Sequence, residues 1–589
     1  MKCRTIFFIH CFIAIHAAIA AAAEIRVPAD HATIQSAINA AVAGDVIIVS
    51  PGTYRESIDF KGKAITVRST DPKDPAVVAA TTIIGDPGKP CVAFNSSEGR
   101  NSVISGLTLA HEDVTRSYPE SPGISCNPGS PTISSNVITG NFPGMFIGGL
   151  GLRDASPLVW RNAITMNTGM GIWCYCGPSK SDIIGNMFLS NTGGGGIWIT
   201  GDDRQQMLIE GNTFVQNSAR YGGAISHDEG PSVICDNLVT GNVAETFGGG
   251  IDLGPMGKVL DNVIADNTGY GGICGPFAFY SCVISGNTIT GCNGGIIVDN
   301  FDDGVMSNNT IVGNIEFGGI CVGSRSCLLS GNLVAGNSST LIAAGIELVS
   351  DTLATVAGCT IVGNRSSAGI GGLSCHEDSS VLVTNCIISG NTGPAANEAA
   401  VSDGPPPWSE TSHMEIRHSF IKGGQNAVQI IGASSLAWGS GNIDADPLFV
   451  DPGHWDDNGT PAEPSDDKFD YHLLPGSPCI DAGTNDIDNP DTPEVETLPA
   501  TDIAGIRRVI DGNRDGCATV DMGAYEYLPG DVNYDGKVNV LDLILVRNSM
   551  GRDPASSPAA RKADLNADGR VDVLDLLAAR NALNTSCPQ

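Results

Sequence analysis

Asn212-Thr213-Phe214-Val215-Gln216-Asn217 is one copy of a phrase, Asn-x-(Ile/Val/Phe)-x-x-Asn, that returns through the middle of the chain. Its first position falls at Asn136, Asn162, Asn186, Asn212, Asn237, Asn262, Asn287, Asn309 and Asn332, then continues as Cys359 and Cys386. The successive spacings are 26, 24, 26, 25, 25, 25, 22, 23, 27 and 27. An interval this short holds one small unit per repeat, and such a unit buries its apolar side only by stacking on its neighbours. Each repeat therefore reads as one coil of a solenoid.

Further into most repeats a second phrase sets a glycine before an apolar residue: Gly171-Ile172, Gly196-Ile197, Gly250-Ile251, Gly272-Ile273, Gly295-Ile296, Gly319-Ile320 and Gly345-Ile346. Short β-branched runs separated by Gly and Asn, with no helical stripe between them, predict strands joined by tight turns. Asn and Gly suit turns that need left-handed backbone, and stacked Asn side chains can hydrogen-bond from coil to coil. At ~4.8 Å per coil, eleven coils make a rod roughly 50 Å long. Leucine-rich repeats are the alternative, and their consensus leucines are missing. The open ends of such a rod need covering. Thr33 to Ala41 reads as an amphipathic helix capped by Thr33, placed to close the N-terminal end before Asp45 to Val49 begins a strand.

The run from Val27 to Ser69, with Thr33-Ile34-Gln35, Asp45 to Val49 and Pro51-Gly52-Thr53-Tyr54, resembles the opening segment of pectin-lyase-like β-helix proteins. That superfamily holds pectate lyases, polygalacturonases, other glycoside hydrolases and alginate-modifying enzymes. The resemblance covers roughly residues 24 to 395 and implies an all-β, right-handed parallel β-helix solenoid acting on a polysaccharide.

The N-terminus has the form of a secretory signal over residues 1–23: basic Lys2 and Arg4, an apolar core from Ile6 to Ala20, and small residues Ala21-Ala22-Ala23 before Glu24. No later apolar run is long enough for a bilayer, so no transmembrane segment is expected in the mature chain, which is placed outside the cell or on its surface. Without the signal, 30 Lys and Arg stand against 64 Asp and Glu, a formal charge of −34. Such a chain repels nucleic acid and anionic membranes, and it binds uronate-rich polymers poorly unless calcium bridges the carboxylates. Cys3 and Cys11 fall in the signal, leaving 16 of the 18 cysteines in an oxidising compartment. Some disulfides are expected rather than zinc, with Cys479 and Cys517 as a pair, and Cys359 with Cys386 either bridged or left as buried thiols.

After about residue 395 the repeat stops and Gly404-Pro405-Pro406-Pro407 opens a different texture. Asp444 to Val450, Gly476 to Gly483 and Asp521 to Glu526 resemble the closing region of many secreted bacterial β-helix proteins, which makes residues 396–528 a C-terminal cap. Residues 529–589 then carry a duplicated phrase. Asp531-x-Asn533-x-Asp535-Gly536-Lys537-x-Asn539-x-x-Asp542 returns as Asp564-x-Asn566-x-Asp568-Gly569-Arg570-x-Asp572-x-x-Asp575. Oxygen donors at positions 1, 3, 5, 7 (a backbone carbonyl), 9 and 12, with Gly at 6 for the bend, are what a hard cation such as Ca2+ requires. A helix is expected after each loop, over Leu543 to Ser549 and Leu576 to Leu583, without an entering helix of EF-hand type. This duplication resembles a type I dockerin and implies a small α-helical module with two Ca2+ ions and a cohesin-type partner. Cellulosomal dockerins often carry hydroxyl residues at loop positions 10 and 11, where this chain has Val540-Leu541 and Val573-Leu574.

If the isoleucine of each Gly-Ile phrase points inward, the residues one and three places later face solvent. One sheet then presents Trp173 and Tyr175, Trp198 and Thr200, Ser226 and Asp228, Asp252 and Gly254, Cys274 and Pro276, then Ile297 and Asp299. Asp228 and Asp252 lie on neighbouring coils with Cα atoms on the order of 8 Å apart, a spacing at which two carboxylates can serve as acid and base across a glycosidic bond. They are the expected catalytic pair, with Trp173, Tyr175, Trp198 and Asp299 contacting the sugar. Asp202, Asp203, Glu229, Asp302 and Asp303 stand behind them. Gly201-Asp202-Asp203 resembles the Gly-Asp-Asp of polygalacturonases, but neither Gly-His-Gly nor Arg-Ile-Lys accompanies it. A lyase needs a basic side chain beside a uronate, and Arg204, Arg220, Lys258, Arg325 and Arg365 are scattered. The expected function is hydrolysis of the O-glycosidic bonds of a neutral polysaccharide. A pectate-lyase-type polysaccharide lyase and a non-catalytic glycan-binding or adhesin-like rod are the alternatives.

Overall fold

The computed structural model describes residues 22–112, 122–142, 147–175, 180–200, 206–228, 230–275, 282–299, 302–341, 343–403, 411–454, 468–493 and 495–583. The signal segment up to residue 21, the Pro-rich run Gly404 to Pro407, and Asp202, Asp203 and Glu229 lie outside them. The acidic runs at 456–457 and 466–467 do as well.

Among the described residues the coils contribute strands to three long parallel sheets, two of which hold 17 and 15 strands. In one coil these strands are Met207–Glu210, Thr213–Val215 and Ile225–His227. Each lies in register on its counterpart in the next coil: Ile209 on Ile234, Phe214 on Val239, Ile225 on Ile251. The fold is a right-handed parallel β-helix, nearly all β. Its interior is a set of apolar columns, with Phe188 stacked on Phe214 at 4.6 Å between ring centres.

The asparagines of the repeat turn inward and are buried. Asn212 shows the pattern. Its backbone N–H and its Nδ2 both donate to Oδ1 of Asn237, at 2.8 and 3.0 Å, and its Nδ2 also donates to the Ile183 carbonyl. The second asparagine of the phrase forms a parallel ladder, with Asn217 donating twice to Asn242 Oδ1. The left-handed backbone expected at these positions belongs instead to the residue before each ladder member, as at Asp236 (φ 56°), Asp261 (φ 54°) and Gln216 (φ 54°). That turn residue swings the asparagine side chain into the core. The glycines of the Gly-Ile phrases serve close packing, since a Cβ on Gly196 would sit 2.6 Å from the Ala224 carbonyl oxygen and 2.7 Å from the Phe214 ring.

The N-terminal end is closed as expected. Helix Ile34–Ala40 starts at Thr33, whose hydroxyl accepts from the Ser36 N–H, and buries Ile34, Ala37 and Ile38. Stacking does not stop near residue 395. Strands His413–Arg417, Val428–Ile431 and Ser435–Trp438 add to the sheets, and Ser419 takes the ladder position beneath Cys386. The region that follows lies against the flank of the last coils. Phe449, Tyr471, Met522 and Tyr527 cluster with Val312, Leu333, Ile387 and Phe420, residues of the second sheet. Thr360 Oγ1 accepts from the Ala524 N–H at 2.9 Å. All described cysteines are thiols: Cys479 is buried, Cys517 is exposed, and Cys359 and Cys386 occupy the asparagine ladder as unbridged neighbours.

If the ladder holds the coils together, Asn237→Ala leaves both donors of Asn212 without their acceptor. The unfolding free energy is then expected to drop by about 3 kcal/mol, measured by urea titration followed by circular dichroism.

Candidate active site and calcium loops

The isoleucines that position the site are at most 2% exposed, from Ile172 through Ile346. Because side chains alternate along a strand, the residues one place later form an outward row: Trp173, Trp198, Ser226, Asp252, Cys274 and Ile297, each in register with the next. Tyr175, Thr200, Asp228 and Asp299 belong to the row two places further on.

Asp228 and Asp252 are brought together by Ser226. The Ser226 hydroxyl donates to Asp252 Oδ2 at 3.5 Å and also hydrogen-bonds the Asp228 carboxylate. The Trp198 indole N–H donates to Asp228 Oδ2 at 2.8 Å. Their environments then separate them. Burial pushes the Asp252 carboxyl from 3.8 up to about 7, and the charge of Asp228 adds to the push. Asp228 is nearer the rim. Burial raises its pKa too, opposed by the hydrogen bonds from Trp198 and Ser226. The more deeply buried Asp252 is the one held towards its protonated form, and the hydrogen bonds to Asp228 favour its charged form, a difference of the kind that acid–base chemistry on a bond between them needs.

The remaining expected residues are on the same face in different circumstances. Trp173 and Tyr175 lie 5.6 Å apart between ring centres, and the Arg153 guanidinium covers Tyr175 at 5.2 Å. Trp198 spends its N–H on Asp228, so it orients a carboxylate. Asp299 projects over Gly323, where a Cβ would stand 2.6 Å from its Oδ1. Asp302 and Asp303 open a strand of a different sheet, at a bulge. Four groups on the face were not anticipated: Cys321, Glu347, His376 and Tyr270. Cys321 and Glu347 continue the Trp173–Asp252 row, and His376 Nε2 lies 3.0 Å from Glu347 Oε1 with both side chains nearly buried. The same count from Gly319-Ile320 and Gly345-Ile346 finds the first two.

At the C-terminus the two loops repeat each other bond for bond. Asp531 accepts from the Asp535 and Gly536 N–H groups, as Asp564 does from Asp568 and Gly569. The position-12 carboxylates, Asp542 and Asp575, are buried and accept from Val532 and Leu565. Asn533 and Asn566 stand beside Asp535 and Asp568. Lys537 and Arg570 occupy position 7, where the donor is the backbone carbonyl. Asn539 and Asp572 at position 9 cap the helices that follow, Val540–Ser549 and Val573–Asn581. Those helices begin three residues earlier than expected because Asp542 and Asp575 complete the capping boxes. A short helix, Pro558–Ala563, does precede the second loop. The donor set fits calcium: crowding by burial and by the Asp542 and Asp535 charges raises Asp531 to about 6, an imbalance that a bound dication would relieve. The module rests on the flanking region, where Lys562 Nζ meets Asp470 at 2.8 Å and His472 stacks on Tyr534 at 4.4 Å.

Residues 277–442 match the family model described as right handed beta helix region, and residues 529–584 match dockerin type I domain, a calcium-binding module. No curated protein matches the chain. Among solved structures it is similar to a PL6 family alginate lyase, AlyGC, at 14% identity and TM-score 0.39, covering 71% of this chain and 78% of that one. It is also similar to a GH87 α-1,3-glucanase catalytic unit from Streptomyces thermodiastaticus strain HF3-3, at 13% identity, 70% and 65% coverage and TM-score 0.26. A third similar structure is pectate lyase Pel9A, at 12% identity, 87% and 98% coverage and TM-score 0.24. No helix among the described residues is long and apolar enough to cross a membrane.

A carboxyl held above its unfolded value costs nothing below 3.8 and progressively more as pH rises to about 7. Asp252→Asn is therefore expected to leave the melting temperature unchanged at acid pH and to raise it above neutrality, read by differential scanning calorimetry at both ends of that window.

Proposed function

We propose that this right-handed parallel β-helix, joined to a calcium-binding dockerin type I module, is an extracellular glycoside hydrolase that cleaves O-glycosidic bonds of a polysaccharide. The observation that carries the reading is the Asp228–Ser226–Asp252 arrangement, in which two linked carboxyls lie at different depths and burial raises Asp252 to about 7. Asp252 donates its proton to the leaving oxygen, and Asp228, steadied by Trp198, supports the sugar carbon or activates water as the carboxylate partner. Among the described residues, the two outward rows from Trp173 to His376 contain no Lys or Arg. That favours hydrolysis over elimination beside a uronate, which needs a basic group there.

The module would hold one Ca2+ in each loop, through Asp531, Asn533, Asp535, the Lys537 carbonyl, Asn539 and Asp542, and through Asp564, Asn566, Asp568, the Arg570 carbonyl, Asp572 and Asp575. The pairs Val540-Leu541 and Val573-Leu574 are 63, 53, 63 and 54% exposed, an apolar face in each half suited to a cohesin-type partner.

The test is incubation of the secreted chain, with calcium, against a polysaccharide panel, following reducing ends and the ultraviolet absorbance of unsaturated products together. Reducing ends alone are expected. Asp228→Asn or Asp252→Asn should lower the rate on the order of 100- to 10,000-fold, and kcat/KM should fall as pH rises past about 7, where Asp252 loses its proton. Unsaturated products would instead mean a lyase, and no turnover with retained binding a glycan-binding rod. Calorimetric titration of the chain with calcium should find two sites, and one after Asp531→Ala.

A further inference from the structure

The carboxylate pair lies in the middle of a longer surface. Alongside the floor formed by the outward rows, short strands Ser218–Tyr221, Val243–Phe247 and Thr268–Tyr270 stack separately. They place Tyr221, Phe247 and Tyr270 in one register along the rod. Ring centres are 5.9 Å apart for Tyr221–Phe247, 6.4 Å for Phe247–Tyr270 and 4.5 Å for Tyr270–Phe317. The last contact skips a coil. Gly294 occupies the skipped position, where a Cβ would stand 3.0 Å from that of Phe317. Tyr221 and Tyr270 remain 37 and 36% exposed. Tyr270 leans toward the floor, in the field of Asp299 and Glu347.

A contiguous row of partly exposed rings is more apolar surface than folding needs to leave in water, and such surfaces mark binding grooves. The floor from Trp173 to Cys321 spans six coil steps, ~29 Å at strand spacing, with Asp228 and Asp252 on its third and fourth coils. Its carboxylates, Asp228, Asp252 and Asp299, lie along the middle and far part of the floor, while the guanidinium groups of Arg153 and Arg220 are held over the rings of Tyr175 and Tyr221 near one end. A polyanion would be repelled, whereas sugar rings without charge can lie against the aromatic wall while carboxylates accept from their hydroxyls.

Resting on the hydrolase reading, we infer that this groove binds an uncharged polysaccharide along the rod axis and that cleavage falls at internal bonds. Tyr270 and Phe317 then bind the part of the chain beyond Asp252 toward the C-terminal end of the rod.

The test uses the full chain with Asp252→Asn, which separates binding from turnover, in native gels containing soluble β-glucan, xylan, galactomannan or polygalacturonate. Retardation by at least one uncharged polymer is expected, none by polygalacturonate. Tyr270→Ala combined with Phe317→Ala should weaken retardation about tenfold, and Tyr270→Phe should not, with the melting temperature reporting that each variant is folded. Wild-type protein acting on the retarding polymer should release long fragments first. Retardation by polygalacturonate, retardation indifferent to the wall, or release of only terminal sugars overturns the inference. Retardation that depends on the wall without any new reducing ends overturns the hydrolase reading and leaves the groove standing.

Discussion

The bond on which everything else depends is the amide ladder that runs through the core. In each full rung one Oδ1 accepts two N–H groups from the coil before it, and the donating amide nitrogen also reaches a carbonyl one coil back, as Asn237 does toward Asn262 and Ile209. Two such ladders run in parallel. They satisfy polar groups that would otherwise be orphaned in an apolar interior, and they admit only one register. Because side-chain period in a strand is two, a slip of one residue would turn the outward rows inward. The surface is thus as ordered as the core. Substitutions within the ladders keep the spacing: Cys292 accepts from Asn267 at 3.8 Å, and the second ladder ends on Glu398, which takes the Asn391 amide at 2.8 Å.

With register secured, chemistry is decided by depth. Asp228 and Asp252 are chemically identical side chains on adjacent coils. One is sunk beside the floor and meets the charge of the other, while the second meets an indole N–H at the rim. The backbone supplies proximity and the surroundings supply difference. The C-terminal loops use carboxylates in the opposite way, crowding them around a bend so that a cation, not a proton, resolves the repulsion.

Much of this was legible in the residues. A repeat of about one coil and the Gly-Ile phrases specify strand, turn and facing, so the outward rows, the N-terminal helix at Thr33 and both calcium loops could be placed by counting. What escaped was set by contacts distant in the chain. No periodicity tells that the described residues between 443 and 528 lie along the second sheet, because that depends on Thr360 and Ile387 meeting Ala524 and Met522. The thiol state of Cys479 and Cys517 depends on one being buried and the other exposed. The aromatic wall comes from short strands whose residues carry no repeat phrase, and the Glu347–His376 pair from side chains on two successive coils that only the folded register brings to 3.0 Å.

Burial, reinforced by the charge of Asp228, holds the Asp252 carboxyl up at about 7. Infrared difference titration of the wild-type chain against Asp252→Asn isolates that carboxyl from other buried acids, such as Glu526, which burial also raises to about 7. The account predicts a protonated-carboxyl band that disappears with a midpoint of about 7, is absent from the Asp252→Asn chain and moves to lower pH in Asp228→Asn. A difference spectrum that titrates in the ordinary aspartate range, or one unmoved by Asp228→Asn, would contradict it.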